Sequence, residues 1–385
     1  MGINYQFSIP TRIVFGNDSF KKVPDLVYEM GRKVFIVTGK KNTLANQLSQ
    51  SLNERNIESM VFNINSEPTT EDIVNATGLA KINNCNVVVG VGGGSVIDAA
   101  KAVAALATNS GELNDYLEII GKGRKLEEAP LKYVAIPTTA GTGAEVTKNS
   151  VIKSKEKKVK VSLRSDLMFP TIAVLDPVLA LTMPPEITAT TGMDALTHLF
   201  ETFVSCQANP FVDMIGREGM QLISSSLKTA CFEGNNIAAR EKMAMASMLG
   251  GMALANVKLG AVHGFAGPLG GMIDIPHGAV CACLLPAVME VNTRVLKEKK
   301  LKDKLLKFDE AARILTKNES AKADDGIVWV KEMVKKLKIP GLSNYGFSEK
   351  IIPELIEKAK NSSSMKGNPI VLSEGQLAEI LYKSI

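Results

Sequence analysis

An α/β N-terminal half followed by an all-helical C-terminal half is the fold class this sequence predicts, and three observations predict it. Short β-branched runs alternate with helical stretches from Val34 to Leu175. The runs are continuously apolar rather than alternating, as strands of a parallel sheet covered on both faces are. After Met183-Pro-Pro185 strand signals nearly vanish and helix-favouring segments follow one another.

Val34-Phe-Ile-Val-Thr38 reads as a strand ending in a glycine turn, with a helix over 42–55. Met60-Val-Phe-Asn-Ile64 is the next strand and 70–83 its helix. Asn86-Val-Val-Val-Gly-Val91 is a third strand, followed by an alanine-rich helix over 95–107. Tyr133–Ile136 and Ile172–Leu175 add strands, and Tyr5 to Phe15 reads as an extra hairpin or an edge strand. Helices are predicted over 187–205, 211–230, 237–256, 279–298, 301–316, 324–337 and 349–360. The expected domains are therefore 1–184 and 185–385.

A chain of 385 residues with 45% apolar and 22% charged residues buries a large core without staples. The net charge of +5, from 45 basic and 40 acidic residues, is small for this length. The lysine clusters at 153–160 and 297–307 lack interleaved aromatics and read as solvated faces, not a nucleic-acid surface. Five cysteines form no regular framework, which argues against a secreted disulfide protein. Cys281 and Cys283 read as packed thiols. The N-terminus lacks a secretory pattern, and the apolar stretch Ala279–Val291 is too short to span a bilayer. The expectation is a reduced, cytoplasmic, soluble protein.

Two loops carry chemistry. Gly90-Val-Gly-Gly-Gly-Ser95-Val-Ile-Asp98 runs from a strand into a helix, where glycines admit a phosphate and the helix N-terminus favours an anion. Ser95 and Asp98 also fit a capping box. Pro137-Thr-Thr-Ala-Gly-Thr142-Gly-Ala-Glu-Val-Thr147 follows the strand 133–136. Two polar glycine loops at the carboxyl ends of strands fit ligand binding at that edge of the sheet.

The chain has only three histidines, His198, His263 and His277. Asp194 and His198 lie at i, i+4, on one face of a helix. His263 and His277 bracket a glycine-rich stretch. Imidazole and carboxylate together suit a divalent transition metal, and a one-Asp, three-His set favours a catalytic over a structural site.

Gly-Gly-Gly-Ser95-Val-Ile-Asp98, Thr138-Thr139-Ala-Gly-Thr142-Gly-Ala-Glu, Thr-Gly-Met-Asp194-Ala-Leu-Thr-His198 and His263 to His277-Gly, in that order, resemble the iron-containing (group III) alcohol dehydrogenase family. The resemblance implies a Rossmann-like nucleotide-binding domain and an all-α metal-binding domain in a dehydroquinate synthase-like architecture, with the active site in the cleft between halves. It implies that Asp194, His198, His263 and His277 bind one divalent ion, Fe2+ or Zn2+. A nicotinamide cofactor would rest its pyrophosphate on Gly93, Gly94 and Ser95, with Asp98, Thr138, Thr139, Thr142, Thr147, Lys160 and Leu179 around it. Hydride would pass between a metal-bound alkoxide and C4 of the nicotinamide. Alignment with the family offers Asn149, Val151, Leu254 and Phe265 as substrate pocket, which fits a small, mostly uncharged alcohol or aldehyde. A homodimer through the segment 5–15 is also implied.

Two departures stand out. Many NAD-dependent members carry Asp at the end of the first strand; here Gly39 is followed by Lys40 and Lys41, which would admit a 2′-phosphate. NADP(H) is therefore slightly favoured over NAD(H). Several relatives carry a histidine where this chain has Gly267, so a proton relay must use water, a hydroxyl or the cofactor ribose. The competing readings are a glycerol dehydrogenase-like or maleylacetate reductase-like enzyme, a dehydroquinate synthase-like lyase, and a non-catalytic nucleotide-binding protein.

Overall fold

The structure, a computed structural model, describes residues 4–157 and 159–385. Two compact units make up the chain: an α/β unit of Ile9–Thr139 and Gly143–Leu181, and a helical unit of Ala140–Thr142 and Thr182–Ile385 that also takes the N-terminal segment through Ser8.

The α/β unit holds strands β1 (Arg12–Phe15), β2 (Lys33–Gly39), β3 (Glu58–Ile64), β4 (Val87–Gly92), β5 (Lys132–Pro137), β6 (Asn149–Ser154), β7 (Val159–Arg164) and β8 (Ile172–Leu175). Its helices are α1 (Val23–Tyr28), α2 (Thr43–Asn53), α3 (Thr70–Ile82), α4 (Gly94–Thr108) and α5 (Leu113–Tyr116). Six strands pair in the order β1-β8-β5-β4-β2-β3, all parallel. Strand side chains alternate between faces, and both faces are buried. Phe35, Val37, Val88 and Tyr133 pack with α3 and α4. Val34, Ile36, Val89 and Val134 pack with α1 and α2 on the other side. This double burial is why the strands read as unbroken apolar runs.

The chain goes from β2 outward to β3, then returns past β2 to β4. That reversal makes the carboxyl ends of β2 and β4 the switch point where open α/β sheets bind ligands. Gly39 ends β2 and Gly92 ends β4, while Gly92 pairs with Pro137 of β5. The glycine turn, the glycine loop and the threonine loop thus lie along one edge.

Two elements differ from expectation. Of the segment 5–15 only Arg12–Phe15 is a strand, an edge strand paired parallel to β8, whereas Phe7 stacks on Phe211 at 5.2 Å within the helical unit. β6 and β7 form an antiparallel pair that the lysine-rich sequence concealed; β6 buries Ser150, Ile152 and Ser154 and turns its other residues outward.

The helical unit contains α6 (Pro185–Val204), α7 (Pro210–Phe232), α8 (Ile237–Asn256), α9 (Ala261–Met272), α10 (His277–Glu298), α11 (Lys302–Thr316), α12 (Ala323–Lys336), α13 (Ile352–Asn361) and α14 (Glu374–Tyr382). One apolar core joins them, with α6 buried along most of its length. α10 is long and apolar enough to cross a membrane, but 83% of its apolar window is buried within the protein.

Candidate metal centre and nucleotide loops

The candidate metal centre lies within the helical unit. α6 presents Asp194 and His198 one turn apart, both nearly inaccessible. α9 begins at Ala261 and carries His263 in its first turn, and α10 begins at His277. Close backbone approach fixes these starts. A Cβ on Gly278 would stand 2.4 Å from the Thr190 carbonyl of α6, so only glycine lets the N-terminus of α10 reach α6. A Cβ on Gly260 would stand 2.6 Å from Glu201 Oε1.

Asp194 Oδ1 is the common point. His263 Nε2 lies 3.4 Å from it, His277 Nε2 3.7 Å and His198 Nδ1 4.0 Å. The His198 and His263 rings stack at 4.4 Å. The four predicted ligands therefore converge. A fifth group that the sequence reading had set aside stands with them: Cys281 Sγ is 3.7 Å from His263 Nε2 and 3.8 Å from His277 Nε2. One ligand atom each from Asp194, His263, His277 and Cys281 lie within 4.8 Å of one another. His198 flanks this group, held by a hydrogen bond to the backbone of Gly141.

The groups at this point strongly perturb one another's proton affinities. Burial opposes charge on Asp194, yet His198, His277 and His263 hold its carboxyl well below the usual range. Burial lowers His198 to about 4. Burial also works to lower His263, but Cys281, Asp194 and Glu201 raise it well above the ordinary imidazole value. Burial pushes the Cys281 thiol up to about 12. Asp194 Oδ1 and His198 Nδ1 are buried without a hydrogen-bond partner. Such orphans cost about 1–3 kcal/mol each, and a divalent ion among these donors satisfies both. The donor set fits iron or zinc.

Glu201, one turn beyond His198, was missed from sequence. Its Oε1 accepts from Val262 N–H at 2.7 Å, and its Oε2 accepts from His263 N–H at 3.3 Å and His263 Nδ1 at 2.8 Å. It therefore caps α9 and fixes the Nδ1–H tautomer, which turns the Nε2 lone pair toward the ion position. The available signal was its place on the Asp194–His198 face, at i+7 and i+3.

In the α/β unit, Gly93 occupies the N-cap of α4 and contributes no side-chain cap, leaving first-turn N–H groups for an outside acceptor. A Cβ there would meet only Thr139, at 3.5 Å. The Ser95–Asp98 capping box does not form, because the helix begins at Gly94. Asp98 instead accepts from Val151 N–H at 3.0 Å and faces Lys101 at 3.7 Å, and burial raises it to about 6. Thr138 N–H donates to the Gly92 carbonyl at 2.9 Å, tying the threonine loop to the glycine loop. Thr147 is buried and accepts from Lys101 Nζ at 3.0 Å. Lys160 pairs with Glu67. Leu179 is half-buried against the apolar layer on the α1–α2 side. Gly39 is followed by an exposed Lys40. Thr142 lies in the helical unit, beside Gly141.

The substrate candidates come from both units. Asn149 and Val151 lie on β6, Val151 exposed and Asn149 accepting from Lys101 Nζ through its carbonyl. Leu254 is half-buried on α8, and Phe265 is packed into the helical core without exposed surface. A Cβ on Gly267 would meet no atom within 4 Å.

Comparison with known proteins agrees along the whole chain. Residues 10–177 match the family model "Iron-containing alcohol dehydrogenase", and residues 188–385 match "Fe-containing alcohol dehydrogenase family, C-terminal". The choline dehydrogenase of Bacillus subtilis (strain 168) is 34% identical over 376 residues, covering 96% of this chain and 92% of the relative. The 1,3-propanediol dehydrogenase of Klebsiella pneumoniae is 34% identical over 394 residues, covering 99% and 98%. Among solved structures, an alcohol dehydrogenase from Oenococcus oeni superposes with a TM-score of 0.91 at 31% identity, covering 99% of this chain and 100% of that one.

Proposed function

Because the chain belongs to the iron-containing alcohol dehydrogenase family, and is thereby an oxidoreductase that works with a divalent metal and a nicotinamide cofactor, we propose that it interconverts small, mostly uncharged alcohols and aldehydes. The observation that carries this is the convergence of Asp194, His198, His263 and His277 around one buried point with orphaned donor atoms. When bound, the ion polarises the substrate oxygen and the nicotinamide exchanges the hydride.

The residues then have separable tasks. Asp194 supplies the negative charge, and His263 and His277 the neutral nitrogen donors. Glu201 holds His263 in the donor tautomer. Gly93, Gly94 and Ser95 receive the pyrophosphate at the α4 N-terminus, with Asp98, Thr138, Thr139, Thr142, Thr147, Lys160 and Leu179 completing the cofactor contacts. Asn149 and Val151 in the α/β unit and Leu254 in the helical unit are the substrate-side candidates, while Phe265 is buried in the helical core. All three histidines stand at the metal centre, and position 267 is an open glycine. The proton must therefore travel through water, a hydroxyl or the cofactor ribose.

Finer points belong to the same proposal. Gly39 and the exposed Lys40 favour NADP(H) slightly over NAD(H), since a 2′-phosphate meets no carboxylate there. Residues 1–184 serve the dinucleotide and residues 185–385 the metal. The protein works in the cytoplasm as a homodimer, with no nucleic-acid or membrane partner.

The test is metal-dependent oxidation of NADPH and NADH by short aldehydes after anaerobic loading with ferrous iron or zinc. Turnover that requires the ion and is lost in His263→Ala supports the proposal. A metal-loaded protein that turns over neither cofactor with any short aldehyde or alcohol overturns it.

A further inference from the structure

We propose that Asn368 is a positioning residue for His263: from the turn that follows α13 it ties the start of α9 to α10, and so sets how these two histidine-bearing helices stand to each other. This rests on the reading of the site as a metal centre and adds a support to it, not a ligand.

α9 has no cap of its own. Its N-cap is Gly260, which offers no side-chain acceptor, and Ala261, Val262 and His263 are all buried. Buried first-turn N–H groups need acceptors from elsewhere. Glu201 accepts from Val262 and His263. The remaining donor goes to Asn368, whose Oδ1 accepts from Ala261 N–H at 3.2 Å.

The same amide reaches α10. Asn368 Oδ1 also accepts from Asn292 Nδ2 at 3.1 Å, while its Nδ2 donates to Asn292 Oδ1 at 2.8 Å and to the Ile370 carbonyl at 2.7 Å. Two lone pairs and two N–H bonds are thus all in use. The amide has one orientation, because Ala261 N–H can only donate and the Ile370 carbonyl can only accept. Asn368 is 7% exposed and Asn292 1%, so water has little access to stand in for either. A buried polar network satisfied in this way specifies a single arrangement, where an apolar pair would pack without fixing one.

The turn itself is held on several sides. A Cβ on Gly367 would stand 2.0 Å from the Leu259 carbonyl, so only glycine lets the turn Ser364–Gly367 lie against the approach to α9. Cys206 N–H, just beyond α6, donates to the Gly367 carbonyl at 3.0 Å, and Lys304 of α11 donates to the Pro369 carbonyl at 2.5 Å. A turn fixed in this way passes its position on to Ala261, two residues before His263.

The experiment titrates the metal-free full-length protein with zinc against a chromophoric chelator and records its cobalt(II) spectrum. Asn368→Ala should weaken zinc binding by about tenfold, the low end for loss of an outer partner, and shift the visible cobalt bands. Leu315→Ala, a buried change on α11, controls for stability: urea unfolding should show it destabilised, with zinc affinity and cobalt bands like the parent's. Hydrogen exchange of the unmodified metal-free protein, which needs no variant, should find the amides of Ala261, Val262 and His263 as protected as the middle of α10. Parent-like zinc affinity in Asn368→Ala, an equal loss in Leu315→Ala, or freely exchanging amides at the start of α9 overturns the role of Asn368 and leaves the metal centre standing. An unmodified protein that takes up neither ion overturns both.

Discussion

Glu201→Gln is the perturbation that most directly separates the ion site from its support. The carboxylate receives three donors: Val262 N–H, His263 N–H and His263 Nδ1–H, at 2.7, 3.3 and 2.8 Å. A glutamine has one carbonyl oxygen and one NH2 for these two positions. If its oxygen stays with Val262, the NH2 faces His263 Nδ1 and stabilises the tautomer whose proton sits on Nε2, where the ion should be. Loss of an outer partner of this kind weakens metal binding about 10–100-fold, or about 1.4–2.8 kcal/mol. If the amide turns the other way, His263 keeps its tautomer but the NH2 confronts the Val262 N–H. That leaves a buried donor unpaired, at about 1–3 kcal/mol of folding stability. The variant must therefore lose metal affinity or stability. Competition with a chromophoric chelator reads the first, and urea unfolding of the metal-free protein reads the second. Zinc affinity within about twofold of the parent, together with stability within about 0.5 kcal/mol, refutes the role given to Glu201.

Other expectations follow from single positions. Gly39→Asp restores a carboxylate at the end of β2, and the NADPH-to-NADH ratio of kcat/KM should fall by about tenfold or more, the equivalent of about 1.4 kcal/mol; an unchanged ratio removes the cofactor argument. Gly78 lies inside α3 with open space where a Cβ would go, so Gly78→Ala should stabilise the protein by about 0.5–1 kcal/mol, seen as a higher Tm. Burial raises Glu145 from 4.5 to about 7. The folded protein thus holds this proton more tightly than the unfolded chain, so its contribution is present below pH 4.5 and lost as pH rises to about 7. Glu145→Gln should flatten the decline in melting temperature across that window, and parallel pH profiles for the two proteins would contradict it.

The α/β unit was legible because its determinants are local. The inner strands of the parallel sheet are buried on both faces, so Val87–Val91 announces itself without knowledge of its neighbours. β6 and β7 were hidden for the opposite reason. They are half-buried and rich in lysine, and their alternation registers only once Ser150, Ile152 and Val161 are seen to face inward. α9 was unreadable as a helix. Gly264, Gly267, Pro268, Gly270 and Gly271 give it poor intrinsic propensity. It is helical because Val262, Phe265 and Leu269 are buried in the core and because Glu201 satisfies its first N–H groups.

The same distinction explains the metal centre. Asp194 and His198 share one helix, so their spacing alone placed them together. His263 and His277 carried a rarity signal, being two of three histidines in the chain. Glu201 and Cys281 carried neither. A carboxylate and a thiol are common enough that only the pairing of α6 with α9 and α10 brings them beside the histidines. Cys281 was judged against Cys283, its neighbour in sequence, although its relevant partner was His277 on the same helix face. Cys283 turns elsewhere, donating to the Pro340 carbonyl at 3.1 Å. Two cysteines in one C-x-C thus have different surroundings, because two residues of α-helix rotate a side chain through about 200°. Motif spacing is informative only when measured in the period of the element that carries it: at four residues His277 and Cys281 share a face of α10, as Asp194 and His198 share a face of α6.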